Sequence, residues 1–389
     1  MENVFKRASW LELFYDVAFV ALIAQLTYLA AANHQTITDY LHMFIVGYSI
    51  FVAWWSTTAN RNLQPSESTA DKLFVQLTMV AVFVMSLTMP AVFAGEYLGY
   101  FLALAGVRVL QSFLIARMYY LHPQTRPATY NLLQGVLIAA GLWVVSAFTL
   151  DPYHILFALA ALSIDILIPL TRGKGNTRRY LNVYHLHERL GLFLILVIGE
   201  SMIVVALSNT ATSLGIQQLV TVFSGLGMMV ALWWLYYEHN DRLADVRPNN
   251  LFVFLHAHGI LFLSIIGVSV GYRLQLSGGT DVAILWFSLG GAIGIAIAIL
   301  LIRITLHNVC MRALWLTTGL VLLAVATVGG AVFISNVLVM SGLTLVFTMV
   351  AILDRFDAFT SKNEPRERIN PHNQIVWCII FPMSSGSNR

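Results

Sequence analysis

"HERLGLFLILVIGESM" (residues 187–202) sets a carboxylate, Glu200, twelve residues beyond another, Glu188, with chiefly Leu, Ile, Val, Phe and Gly between them. Apolar residues cover every face of such a helix, so no stripe is left for solvent; that pattern belongs to a buried or membrane-spanning helix. At ~1.5 Å per residue Glu200 lies ~18 Å beyond Glu188, deep in any bilayer the segment crosses. Charged groups at that depth cost at least ~2.5–3.5 kcal/mol to insert, so each marks a candidate functional position.

Working outward, the whole chain has this character. Its 389 residues are 58% hydrophobic and 11% charged, with a mean hydropathy of +0.75, whereas soluble domains run near ~25% charged. Stretches long enough to cross ~30 Å of hydrocarbon recur. Twelve are expected, near residues 11–31, 41–59, 72–94, 98–120, 130–149, 154–171, 189–208, 216–237, 250–271, 282–306, 313–334 and 336–354. Lipid admits helices or closed barrels, and the absence of period-2 alternation selects helices. The fold class expected is all-α, a polytopic transmembrane helical bundle. The opening residues (MENVFKRASW) lead straight into an acid-bearing helix, and no cleavable signal peptide is expected there.

Lys and Arg collect in alternate loops: Lys6 and Arg7, Arg61 and Lys72, Arg117 and Arg126, Arg172 to Arg189, Arg242 and Arg247, Arg303 and Arg312, and from Arg355 onward. The intervening loops carry Asp39, Glu96 and Asp151, with Arg273 the exception. Positive charge stays inside, so both termini are expected in the cytoplasm. Cys310 and Cys378 then fall on the reducing side, and no structural disulfide is expected.

The two halves also align. "LELF" (11–14) falls on "LGLF" (190–193) and "AWW" (53–55) on "LWW" (232–234), at an offset of 179; "LFVQL" (73–77) then falls on "LFVFL" (251–255), at 178. An even number of spans per copy gives both the same orientation, hence two parallel six-helix repeats, as in several transporter folds. The expected division is 1–172 for the first repeat, 173–188 for a cytoplasmic linker, 189–356 for the second repeat and 357–389 for a cytoplasmic tail.

Polar residues at membrane depth supply the candidate site. Glu200 and Arg108 are the only opposite charges expected near the midplane, and a pair between the repeats follows. Nearer the cytoplasm, Glu12 and Asp16 share a helical face at i,i+4. Asp165 and His256 fall at similar depth, so the four together suggest a carboxylate–imidazole cluster. Plainer readings stand beside these: Glu12 as a juxtamembrane acid pairing with Lys6 or Arg7, Asp165 as a solvated helix end, His256 and His258 as packing residues. His256 and His258 lie about 200° apart around a helix, no HExxH occurs and no Cys/His quartet has ligand spacing, so neither a metal nor another cofactor is expected. Trp54, Trp55, Trp233 and Trp234 read as interface anchors, and "GGAIG" (290–294) as a close helix contact.

Taken in order, "SWLELFYDVAFVALIAQL" (9–26), "VRVL" (107–110), "SIDILIP" (163–169), "ERLGLFLILVIGES" (188–201) and "ALWWLYYEHN" (231–240) resemble the bacterial low temperature requirement A (LtrA) family over most of the chain. The resemblance implies a bacterial multi-pass protein of the inner (cytoplasmic) membrane. It places Glu12, Asp16, Arg108, Asp165, Glu188, Arg189, Glu200 and Ser201 at the family's polar positions. One departure is Asn60–Arg61, where the family usually has an Asp-Arg pair. The family name records a growth phenotype and implies no activity.

Three functions compete. A secondary transporter, possibly proton-coupled through Glu200, suits two six-span copies around a midplane acid. A lipid-modifying enzyme would use Asp16, Asp165 and His256, but no nucleophile–base spacing is legible. A channel or structural stress-response protein would need the polar pairs only for packing. GxxxxGK[ST] does not occur in the chain, so self-contained ATP drive is excluded. The expected partners are the bilayer and an unidentified solute or ion; nucleic acid is not expected.

Overall fold

A computed structural model describes residues 8–33, 36–63, 68–150, 152–172, 182–208, 215–238, 246–306 and 335–361. Eleven α-helices run through them: α1 (Trp10–Ala32), α2 (Ile37–Leu63), α3 (Thr69–Phe93), α4 (Leu98–Leu121), α5 (Arg126–Phe148), α6 (Tyr153–Arg172), α7 (Val183–Leu207), α8 (Ile216–Tyr237), α9 (Leu251–Ser277), α10 (Asp281–Thr305) and α11 (Asn336–Ser361). No strand occurs among the described residues, as the missing alternation requires.

Nine of these helices are long and apolar enough to cross a membrane, and the chain is a multi-pass membrane protein. Of the twelve expected, α2, α6 and the stretch 313–334 are not among these nine. The apolar part of α6 is shorter, Tyr153–Leu167. In α2, Ser49, Thr57, Thr58, Asn60, Arg61 and Asn62 dilute the hydropathy, yet all are buried between neighbouring helices. The expected span at 313–334 lies outside the described residues, as do Cys310, Cys378, the tail from 362 and most of the linker.

Local chemistry sets the helix ends. Ser9 caps α1 in a reciprocal box with Glu12: the Ser9 Oγ accepts from the Glu12 amide at 3.3 Å, and the Glu12 carboxylate accepts from the Ser9 amide at 2.8 Å. Asn182 caps α7 by accepting from the His185 amide at 3.1 Å. The α9–α10 hairpin turns at Gly278, whose φ of +82° favours a residue without a Cβ. Below the turn the two helices nearly touch. A Cβ on Gly291 would stand 2.8 Å from the Ser264 carbonyl oxygen, which bears out the close contact expected of "GGAIG".

Helix α1 packs on α2, α3, α7 and α9, while α2 also meets α4, α6, α7 and α9, so these two helices join the halves of the chain. Each half repeats one adjacency, first helix on second and third, third on fourth: α1 with α2 and α3, then α7 with α8 and α9, with α3–α4 matched by α9–α10. Leu73, Leu77, Val80, Val84 and Leu87 form an exposed stripe along α3. The exposed stripe is apolar, as a lipid solvent allows, whereas the polar side chains of α2 named above are buried.

Candidate functional site

Two connected groups of buried polar residues contain the charged candidates Asp16, Arg189, Arg108 and Asp165. The first begins at the start of α1 and α7, here called the amino-terminal end of the bundle. Asp16 lies six residues into α1 and Arg189 six residues into α7, so their depths match. Their contact is bidentate: Arg189 donates through Nη1 to Asp16 Oδ2 at 2.8 Å and through Nη2 to Oδ1 at 2.6 Å. Both side chains are only 1% exposed. Trp54 on α2 donates its indole N–H to Asp16 at 2.7 Å and stacks on Phe193 at 4.2 Å, with the Arg189 guanidinium 5.9 Å from its ring.

One turn nearer the end, Glu12 meets the His185 ring at 3.2 Å. Asn62 donates to the His185 ring nitrogen and to the Asn182 carbonyl, and its own oxygen accepts from the Asn182 amide. Glu188 accepts from the Ala8 amide at 2.9 Å. The opening segments of α1 and α7 are therefore fastened to each other and to the end of α2.

The second group lies deeper, in the first half. Arg108 on α4 donates to Asp165 on α6 at 2.6 Å and to Gln111 at 2.9 Å, one turn along α4. Gln111 donates to the Ala53 carbonyl and to Thr57 on α2, and Thr57 in turn accepts from Tyr15 on α1 at 2.9 Å. An unbroken run of contacts thus leads from Asp165 to Tyr15, the residue next to Asp16. The Arg108–Asp165 pair walls a cavity of about 50 Å³ between α2, α4, α5 and α6. Asn60, Ser56, Trp55 and Thr129 share that wall, which leads from the pair toward the amino-terminal end.

This geometry corrects several expectations. Arg108 pairs with Asp165 and not with Glu200. The expected cluster of Glu12, Asp16, Asp165 and His256 does not form, because each acid has its own cationic or imidazole partner and His256 meets the Tyr48 hydroxyl at 2.5 Å. Asp165 is no solvated end: its side chain is 3% exposed. Glu12 serves in a cap and pairs with His185. Trp54 is fully buried and bonds an acid, so it is no interface anchor; Trp233, 41% exposed, sits as one would. Ser201 donates to its own helix, at the Val197 carbonyl, and does not contribute to either group. Among the described residues no group of three or more His, Cys, Asp or Glu is placed to hold a metal.

Glu200 differs from every acid above. It is 8% exposed and makes no hydrogen bond or ion pair among the described residues. Seven residues separate it from the end of α7, ~10 Å at the helical rise.

Sequence reading missed His185, Asn62, Gln111, Thr57 and Tyr15. Gln111 alone carried a signal, since its i,i+3 spacing from Arg108 puts both on one face.

A multi-pass helical protein whose two halves meet through buried ion pairs is the class that fold and site define. Within that class, the family pattern of the bacterial low temperature requirement A protein (LtrA) matches residues 7–353, and the chain belongs to this family. The chain is also 24% identical over 295 residues to an uncharacterized protein of Rhizobium meliloti (strain 1021), a match covering 70% of each.

Proposed function

We propose that the protein is a secondary transporter of the bacterial inner membrane that couples a solute to proton movement at Glu200. The observation that carries this reading is the contrast among the buried acids. Glu12, Asp16, Asp71 and Asp165 are each met by His185, Arg189, Arg117 or Arg108, whereas Glu200 has no such partner among the described residues. An unpaired carboxylate is far costlier to bury than the neutral acid. Glu200 therefore holds a proton when closed off and releases it when water reaches it, which is the behaviour a coupling group needs.

Two further features support the reading. The matched adjacencies in the two halves suit twelve spans arranged as parallel six-helix repeats, divided at the 173–188 linker, with a solute site reached alternately from either face. At the amino-terminal end Asp16–Arg189, Glu12–His185 and Asn62–Asn182 hold the halves together as a closed door; opening there requires these contacts to part. Arg61, Lys72, Arg117 and Arg126 all occupy helix ends on that side, which by the positive-inside rule faces the cytoplasm and takes both termini with it.

The test uses the full-length protein in liposomes loaded with a pH-sensitive dye and exposed to a library of small solutes. The expected result is proton movement driven by one solute class in wild type and abolished in Glu200→Gln, with the variant still folded. Wild type that moves protons with no solute, or a Glu200→Gln variant that couples normally, overturns the reading. A purely structural role for the polar pairs would then stand ahead of it.

A further inference from the structure

We infer that the cavity between α2, α4, α5 and α6 is a binding site for a small, uncharged, polar solute that carries a hydrogen-bond donor beside an acceptor, of the size of glycerol or urea. The charge of the wall comes first. Among the fourteen lining residues only Arg108 and Asp165 are ionisable, and as an ion pair at 2.6 Å they carry no net charge. An anion or a cation placed against them would leave one net charge out of water at membrane depth, with its full desolvation penalty. A neutral guest carries no such penalty.

The wall's hydrogen-bonding capacity comes next. Arg108, 1% exposed, spends one terminal nitrogen on Gln111 and the other on Asp165, while its Nε has no partner. Asn60, 4% exposed, has only a sulfur contact for its amide nitrogen, and its Oδ1 has no partner. Both atoms are covered as the cavity stands, so a guest engages them through small side-chain rotations in the wall. Each orphan atom costs free energy until it is met. An acceptor is wanted by Arg108 and a donor by Asn60, and a hydroxyl or an amide group supplies both. Ser56 and Thr129 add hydroxyls, and Val52, Leu132, Val136 and Ile164 cover the carbon skeleton.

Size sets the remaining limit. A space of about 50 Å³ is a few times the ~10–15 Å³ that one water requires, so it holds a few waters or one small solute. The inference rests on the transport reading only in treating this solute as cargo; binding itself does not.

The test is saturation-transfer NMR on the full-length protein in detergent, with glycerol and urea set against acetate and methylammonium, charged molecules of similar bulk. Saturable transfer to glycerol or urea is expected, at least about tenfold stronger than to either ion. Asn60→Leu removes the waiting acceptor and should weaken binding about threefold or more, the loss of one hydrogen bond. Gly135→Leu fills the space and should abolish it.

Absence of saturable transfer to both neutral solutes means a cavity of waters only and overturns the inference. So does an ion that binds as well as they do, or unchanged binding in Gly135→Leu. If Gly135→Leu fails to fold, the wild-type contrast between neutral and charged solutes still decides. Binding in detergent without solute flux in liposomes leaves the site standing and removes the transport reading.

Discussion

Two Arg–Asp pairs, one in each half of the chain, show how depth changes what the same contact does. Arg108 reaches from α4 to Asp165 on α6, and Arg303 from α10 to Asp354 on α11; both shortest distances are 2.6 Å. Arg303 lies two residues from the end of α10, its partner is bound through both oxygens, and both side chains are 12% exposed. A third helix end joins them through the Leu235 carbonyl. Arg108 sits thirteen residues, ~20 Å, from the end of α4, and the side chains are 1% and 3% exposed. Its contact is single, a second donor goes to Gln111, and a cavity opens beside it. The outer pair fastens helix ends. The inner pair is buried at depth, beside a cavity.

The largest expected effect tests that difference in depth. Arg108→Ala leaves Asp165 buried with its cation gone, and such a loss costs about 3–5 kcal/mol. Replacing both partners with leucine should return most of it, because a buried pair exchanged for well-packed apolar residues is often neutral. Denaturant titration of the detergent-solubilised protein measures each. If Arg108→Ala matches wild type, the pair is not desolvated and the contrast with Arg303 collapses.

A smaller effect is expected at the other pair. Arg303→Ala should cost roughly 1 kcal/mol, the upper end for pairs in touch with solvent, and the loss should shrink at high salt, which screens exposed charges more than buried ones. A cost equal to that of Arg108→Ala would show that depth is not what separates the two.

How much of this was readable beforehand follows the same division by depth and distance. The helical membrane class was legible because a bilayer demands long apolar runs, and a segment such as 187–202 states that in one line. Arg108, Asp165, Asp16 and Arg189 were legible as residues, because any charge in such a run stands out. Their pairing was not. Arg108 was expected to meet Glu200, since the two are at comparable depth, yet partner choice depends on which helices are neighbours and on how each is rotated, and neither quantity is local. The same blindness hid His185 and Trp54: histidine and tryptophan are ordinary at the end of a span, and only the approach of α7 and α2 to α1 turns them into partners for acids. Polar α2 was read as a plain span although most of its polar side chains are buried, because apolar composition reports lipid contact and α2 lies among other helices.

The smallest stability change is expected where sequence reading began. Glu200 is the third case beside the two pairs: a buried acid whose carboxyl meets no cation among the described residues, and for which nothing is broken by removing its charge. Glu200→Gln preserves shape and hydrogen-bonding capacity, and its unfolding free energy should stay within about 0.5 kcal/mol of wild type, as for substitutions that disturb no partner. Asp16→Asn is the proper control, since it leaves Arg189 buried without its counter-ion and should fall far below. A Glu200→Gln variant as unstable as Asp16→Asn would mean that Glu200 has a charged partner in the folded protein, and it would then join the paired acids as a packing residue with no proton to exchange. An unchanged stability, with solute-driven proton movement lost, would separate the group that works from the groups that hold.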